Sequence, residues 1–515
     1  MLARCLSASL QGLEARPVTV EVDLAPGLPG IQLVGLADKA IQESRERVRS
    51  ALRNAGFRGP LVRVVINLAP ADLRKEGPAF DLPIALALLV ASGQLDRPRL
   101  NGIWCAGELG LDGSLRPIRG VIAIAELAAR HGARALVVPP GNADEAALID
   151  GLVVRTAPDL QQLVQQLNGE RPCLRVCRAK PEPPPTSHDR IPVQGQAARA
   201  LALAAAGGHH LLLVGPPGCG KTHLAHQLPQ LLPPLSREEA LTITRIHSIA
   251  GQLEQQSPRL LEQRPFRAPH HSCSAAALIG GGVSPQPGEL SLAHGGVLFL
   301  DELTEFPRAL LDQLRQPLEE GAVRLSRARF KASFPAAITL VAATNPCACG
   351  WHGDREHGCR CTPNQRHRYW QRLSGPLLDR LDLQLRLERR TAGDVRRCLQ
   401  PEDQAREPWL QHEVITAARR RMAARNPGGI CNRDLSATAI GEQAGIDNAA
   451  WQLWEQLVAR RGLSTRSGIR LLRVARTVAD LNGDAEVSAD AVAQASHYRC
   501  SDLLGSRDHN NVSHS

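Results

Sequence analysis

From residue 215 to residue 222 the chain reads Gly-Pro-Pro-Gly-Cys-Gly-Lys-Thr, a run of closely spaced glycines followed at once by an ammonium and a hydroxyl. Glycines let successive backbone N–H groups turn inward around phosphate oxygens, and a helix beginning at the lysine adds positive potential. In that reading Gly215, Pro216, Pro217, Gly218, Cys219 and Gly220 form the cradle, Lys221 neutralises the outer phosphates and Thr222 offers its oxygen to Mg²⁺. A plain turn can carry such glycines. The lysine separates the two readings, because the chain has only five (Lys39, Lys75, Lys180, Lys221, Lys331) and one stands where the cradle needs it.

Gly296-Val-Leu-Phe-Leu-Asp-Glu302 is an apolar run ending in two carboxylates. Asp301 suits the Mg²⁺ shell, and Glu302 suits a general base that polarises an attacking water. Ile338-Thr-Leu-Val-Ala-Ala-Thr-Asn345 ends in an amide able to orient that water or, alternatively, to cap a turn. Arg380, in Ser374-Gly-Pro-Leu-Leu-Asp-Arg-Leu-Asp382, offers a guanidinium for charge developing in phosphoryl transfer. Its competing reading is a surface pairing with Asp379 or Asp382. Arg466, Arg470, Arg473 and Arg476 recur at spacings that place them on one helix face.

Two further constellations stand outside this set. Cys347-x-Cys349 and Cys359-x-Cys361 lie within about fifteen residues and supply the four thiolates of a tetrahedral Zn²⁺ site. A reduced, metal-free loop is the alternative, and C-x-C is a less usual spacing than C-x-x-C. The net charge of +10 is uneven: residues 321–380 hold ten basic side chains against three acidic ones, or +7. Arg324, Arg327, Arg329 and Lys331 open that stretch. The partly alternating Ala322–Lys331 run suits one strand of a hairpin with its basic groups near the turn, set to follow a polyanion backbone. A solvated basic edge strand is the competing reading.

The elements that must hold these groups are legible. Leu211–Val214, Val297–Leu300 and Ile338–Ala342 are short apolar runs separated by helical segments, the pattern of a parallel sheet covered on both faces. From about Thr391 the pattern is helical. Before residue 169, Val62–Leu68 and Ala135–Val138 read as strands, and Asp38–Ala55 and Ile122–His131 as helices, giving a separate α+β unit. Lys180-Pro-Glu-Pro-Pro-Pro185 marks a semi-rigid linker over residues 169–190. The expected order is an N-terminal unit (1–168), this linker, an ATPase core (191–390), a helical lid (391–500) and a polar tail (501–515). With 43% hydrophobic and 22% charged residues, the 515-residue chain has the balance of a globular protein. Its start, Met1-Leu-Ala-Arg-Cys, has no secretory pattern, which predicts a cytoplasmic protein whose thirteen cysteines stay reduced.

Arg264-Pro-Phe-Arg-Ala-Pro-His-His271, Ala277-Leu-Ile-Gly-Gly-Gly282, Asn345-Pro-Cys-Ala-Cys-Gly350 and Leu463–Leu481 resemble the YifB/ComM family of magnesium-chelatase-like AAA+ proteins. Gly27–Gly35 and Asn67–Gly77 agree, and the match spans nearly the whole chain. The resemblance implies an α/β fold with an AAA+ core, a helical lid and a ribosomal-S5-like N-terminal domain. It implies that Asn345 acts as sensor 1, Arg380 as an arginine finger reaching a neighbouring subunit and Arg466 as sensor 2; the charge pattern reads the other lid arginines as solvated or salt-bridged. It also implies a homo-hexameric ATPase acting on DNA, with ComM-type members resembling branch-migration helicases of natural transformation. The N-terminal unit is similar to the proteolytic domain of Lon. Alignment puts Ala79 at the nucleophile and Ile124 at the lysine, so that chemistry is lost. A magnesium-chelatase motor and a non-motor regulatory ATPase are the competing functions. The first lacks the D-x-S-x-S partner signature in this chain.

Overall fold

A computed structural model describes residues 2–59, 62–172, 174–175, 193–253, 260–282, 285–327, 330–354, 356–389, 391, 393, 396 and 407–499. The proline-rich stretch, the polar tail and Arg329 lie outside these residues, as does the side chain of Arg327. Among the described residues no helix is long and apolar enough to cross a membrane.

The core is a five-stranded parallel sheet in the order Phe266–Arg267, Val297–Leu300, Thr339–Thr344, Leu211–Val214, Leu383–Arg386. Every residue of its three central strands is buried. Leu211 and Leu213 point into one apolar layer, with the helix Gly195–Gly207 and the lid, while Leu212 and Val214 point into the other, with Leu310, Leu311 and Trp370. Covered faces on both sides explain why these strands read as continuous apolar runs. The lid packs against the first layer through the helices His412–Arg425, Thr465–Asn482 and Ala489–His497. One antiparallel ribbon projects from the core: Ala322–Arg327 pairs with Phe330–Pro335, Val323 opposite Phe334 and Ser326 opposite Lys331.

The N-terminal unit has an eight-stranded mixed sheet, which takes in Leu174–Arg175, a few residues past the expected boundary. Its helix Asp81–Ala91 is buried at every position. Asp81 is tolerated there because Arg47 (2.7 Å), the Leu109 N–H (3.3 Å) and the Ser44 hydroxyl all donate to its carboxylate. Ile124, at the position aligned with the Lon lysine, is 1% exposed within the helix Val121–Arg130.

The two units meet along the helix Arg237–Ala250. Arg245 bonds Glu126 at 2.7 Å. Burial pushes the Glu145 carboxyl up while Ser248, the Ile122 N–H and Asn142 bond to it. Beside these polar contacts, Leu13 at the tip of the first N-terminal hairpin shares an apolar cluster with Ile246, Ile249, Leu292 and Phe334. The turn brings Gly12, in the left-handed region at φ 63°, over Ala332 of the ribbon. Phe334 thus anchors both the ribbon and the N-terminal unit. Phe334→Ala should destabilise this junction by about 3 kcal/mol or more, measured as a lower melting temperature and faster proteolytic separation of the two units.

Candidate active site

The parallel register delivers the candidate groups to one sheet edge. Val214 lies opposite Thr344, so the chain enters the glycine loop beside the point where Asn345 leaves the next strand. Gly218 and Gly220 take left-handed backbone (φ 76° and 90°). A side chain at Gly215 would stand 2.8 Å from the Leu387 carbonyl, so the close turn requires glycine. The loop opens the helix Lys221–Leu231.

Lys221 Nζ donates to the carbonyls of Gly215 (2.7 Å) and Pro216 (3.0 Å) and to Asn345 Oδ1 (3.1 Å). The loop cation and the strand-end amide therefore converge. The Thr222 hydroxyl donates to Asp301 Oδ2 at 3.2 Å, which puts two hard oxygens side by side at the helix start. These are the donors Mg²⁺ prefers, and adjacent oxygens of an octahedral shell lie about 3.0 Å apart for bonds of ~2.1 Å. Glu302 follows with φ 50°, the one described residue other than glycine in the left-handed region. Its carboxylate is half exposed and meets His271, whose Nδ1 is 3.5 Å from Oε2. That histidine belongs to the Arg264–His271 motif, but nothing in its spacing from Glu302 announces the pairing.

Arg380 and Arg466 are not brought to this edge. They face a cleft of about 300 Å³ with Asp382, Arg433, Arg470 and Arg473. Arg380 is buried, donates to the carbonyls of Pro376 (2.7 Å) and Arg315 (3.1 Å) and pairs with Glu319. Neither Asp379 nor Asp382, its alternatives in sequence, is the partner shown. Asp382 instead serves Arg470 (3.6 Å) and His209 (3.3 Å). Burial alone would raise its carboxyl, yet the His209 bond and the Arg470 charge hold it well below the usual range. Burial keeps neighbouring His210 well below an ordinary imidazole, and its Nδ1 accepts from the Leu340 N–H at 3.0 Å. Arg466 is exposed at the start of the lid helix. The solvated alternative for the remaining lid arginines does not hold. Arg476 is wholly buried against Asp480 (3.0 Å), and Arg473 caps the Leu435 carbonyl.

Cys347, Cys349, Cys359 and Cys361 bring their sulfurs within 4.8 Å of one another, with separations of 3.3, 3.7 and 3.6 Å among the first three. The loop leaves Asn345 directly and rests on the glycine loop, since a side chain at Gly350 would meet Pro217 at 2.9 Å. His357 bonds Asp354 (3.2 Å) and stacks on Trp351.

Comparison with known proteins adds three matches along the chain. Residues 20–142 match the family described as subunit ChlI of Mg-chelatase, 189–395 that of magnesium chelatase, subunit ChlI, and 410–499 its C-terminal region. The uncharacterized protein YifB of Escherichia coli is 43% identical over 501 residues, covering 96% of each chain. Competence protein ComM of Haemophilus influenzae is 42% identical over 508 residues, covering 97% of each. Lon protease 2 of Bacillus subtilis is 28% identical over 149 residues, 27% of this chain and 26% of its own. For the edge described above, Glu302→Gln should retain nucleotide binding yet lower kcat at least ~100-fold, because the amide cannot accept a proton from water. Parallel nucleotide-binding and steady-state phosphate-release assays check it.

Proposed function

The chain belongs to the YifB/ComM family of magnesium-chelatase-like AAA+ ATPases, and on that basis we propose that it is an ATP-driven ring motor that moves along DNA and promotes branch migration during recombination. In this reading Lys221 and the glycine loop hold the ATP phosphates, Thr222 and Asp301 hold Mg²⁺, Glu302 activates water and Asn345 orients it. Mg²⁺ supplies charge neutralisation at the phosphates. Arg380 and Arg466 act on a neighbouring copy's nucleotide. Their cleft is lined by none of the glycine-loop residues, which supports a homo-oligomeric ring, in keeping with a hexamer.

The observation that carries the DNA reading is the ribbon Ala322–Pro335. Arg324 faces Ser333 and Lys331 faces Ser326, so both cations lie on one exposed face, while Val323 and Phe334 are buried on the other. Arg324 also pairs with Glu320 at 3.1 Å, but it is 67% exposed, and such a pair is worth little in water. The ribbon leads within four residues into the strand Thr339–Thr344, which Asn345 follows directly, so force on it reaches the nucleotide edge through continuous covalent structure. That one of its relatives is a competence protein supports this reading.

The cysteine cluster fits a resident zinc. Four thiolates 2.3 Å from a tetrahedral ion lie about 3.8 Å apart, close to the separations found between Cys347, Cys349 and Cys359. Zinc held there would fix the loop between Asn345 and the helix Pro363–Trp370.

Arg324→Ala/Lys331→Ala should leave basal hydrolysis intact and flatten the log–log salt dependence of duplex affinity by about 0.9 per lost phosphate contact. Unchanged affinity, slope and DNA-stimulated turnover would remove the ribbon from DNA binding. Arg380→Ala should bind ATP and poison mixed oligomers with wild-type chains, measured as a more than proportional loss of activity on mixing. Purified protein should carry about one zinc per chain, with Cys359→Ser losing it together with thermal stability; metal analysis and melting curves decide this.

A further inference from the structure

Beyond Leu300 the sheet stops fixing the chain that carries Glu302. The strand Val297–Leu300 ends there, opposite Ala342, while its neighbour runs on through Ala343 and Thr344 before Asn345. Glu302 then takes left-handed backbone at φ 50°, and a single tight helical turn, Leu303–Glu305, follows it. A general base and the amide that orients its water must keep one separation. The ladder between the two strands stops short of both groups, so their spacing has to be set outside it.

Three buried hydroxyls bridge the two segments at this point. Thr304 Oγ1 donates to Tyr369 Oη at 2.7 Å, Tyr369 Oη lies 3.0 Å from Thr344 Oγ1, and the Thr344 hydroxyl donates to the Asn345 carbonyl at 3.3 Å. A hydroxyl has one proton to give. With Thr304 donating to the phenol and Thr344 to Asn345, the phenolic proton is left for Thr344, and the relay runs in one direction from the turn after Glu302 to the residue that carries the amide. The helix that supplies Tyr369, Pro363–Trp370, starts at a capping box between Thr362 and Gln365. Its end grips the same two segments. Trp370 Nε1 donates to the Pro346 carbonyl at 3.2 Å, and Arg372 donates to the Glu305 carboxylate (2.9 Å) and the Thr304 carbonyl (3.4 Å). Packing does not account for the phenol. Tyr369 belongs to the apolar layer that holds Leu303, Phe306 and Leu340, where a phenylalanine would present the same ring. The oxygen is the part that layer does not need, and burying it is costly unless it is bonded.

We propose that Tyr369 is a positioning residue for ATP hydrolysis: its hydroxyl holds the turn that follows Glu302 at a fixed distance from the strand end that presents Asn345, so that base and amide meet one water together. This rests on the reading of Glu302 as the general base and Asn345 as the orienting group. It assigns Tyr369 no proton transfer and no contact with nucleotide. Among the described residues the relay makes no bond to the glycine loop, Lys221, Thr222 or Asp301, so nucleotide binding lies outside its reach.

The test is steady-state kinetics on the full-length protein, reading kcat, KM for ATP and nucleotide affinity. Tyr369→Phe should lower kcat about fivefold, with KM and affinity within about twofold of wild type. Thr304→Val, which keeps the shape of the side chain and loses its proton, should lower kcat by about as much, whereas Thr304→Ser should stay within about twofold of wild type. That contrast separates a donated hydrogen bond from simple packing. Tyr369→Phe combined with Thr304→Val should cost no more than the larger single loss, because one break already opens the relay. Wild-type kcat in Tyr369→Phe, a matching loss of nucleotide affinity, a serine variant as slow as the valine one, or multiplying losses in the double variant would each overturn the positioning role. Near-normal turnover of Glu302→Gln alone would instead remove the general base itself, a different failure.

Discussion

The constraint on which the molecule depends is the parallel register of five strands buried on both faces. Backbone N–H and C=O groups can be buried there only because each strand satisfies its neighbours. The same pairing forces the chain ends after Val214, Leu300 and Thr344 to emerge on one edge. The ammonium of Lys221, the carboxylates of Asp301 and Glu302 and the amide of Asn345 are assembled by that geometry, although they come from segments far apart in sequence. One slipped residue in a strand would exchange the side chains packed into the two apolar layers, so those layers fix the position of the polar groups.

Buried charge sets the second level of organisation, joining lid to core. Asp382, only 2% exposed, accepts from His209 and faces Arg470 of the long lid helix. Deeper in the lid, Asp480 gathers Arg425, Arg476 and Asn432. Removing one partner of such a set costs about 3–5 kcal/mol, because the other charge stays buried without compensation. The first set ties Arg470 of the lid to Asp382 of the core, and such contacts tolerate far less displacement than an alkyl contact. Asp382 and Arg470 of the first set also line the cleft that holds Arg380 and Arg466.

The N-terminal unit extends this logic outwards. Its hairpin tip, Leu13, and the ribbon's Phe334 share one apolar cluster with the helix Arg237–Ala250. The exposed face of the ribbon carries cations while its buried face belongs to the junction, so one element serves two environments through strand alternation. In the Lon alignment expected from the sequence, Ala79 and Ile124 of this unit stand at the nucleophile and lysine positions. What it retains is a packed body with Asp81, Arg47 and Ser44 tied together inside it.

The sequence by itself marked the candidate nucleotide groups, because a glycine loop, two carboxylates after an apolar run and an amide after another are local patterns tied to strand ends. It also marked the cysteine cluster and the basic ribbon. Tertiary structure alone decided the rest. It placed Leu383–Arg386 and the two-residue strand Phe266–Arg267 in the sheet, elements too short to show a period of their own. It paired Arg380 with Glu319 rather than with the aspartates beside it, and buried Arg476, which helical spacing alone could equally have left in water. It set His271 against Glu302. Each of these depends on which surfaces meet when distant segments pack, and contact between residues thirty or sixty positions apart leaves no periodic trace in a linear chain.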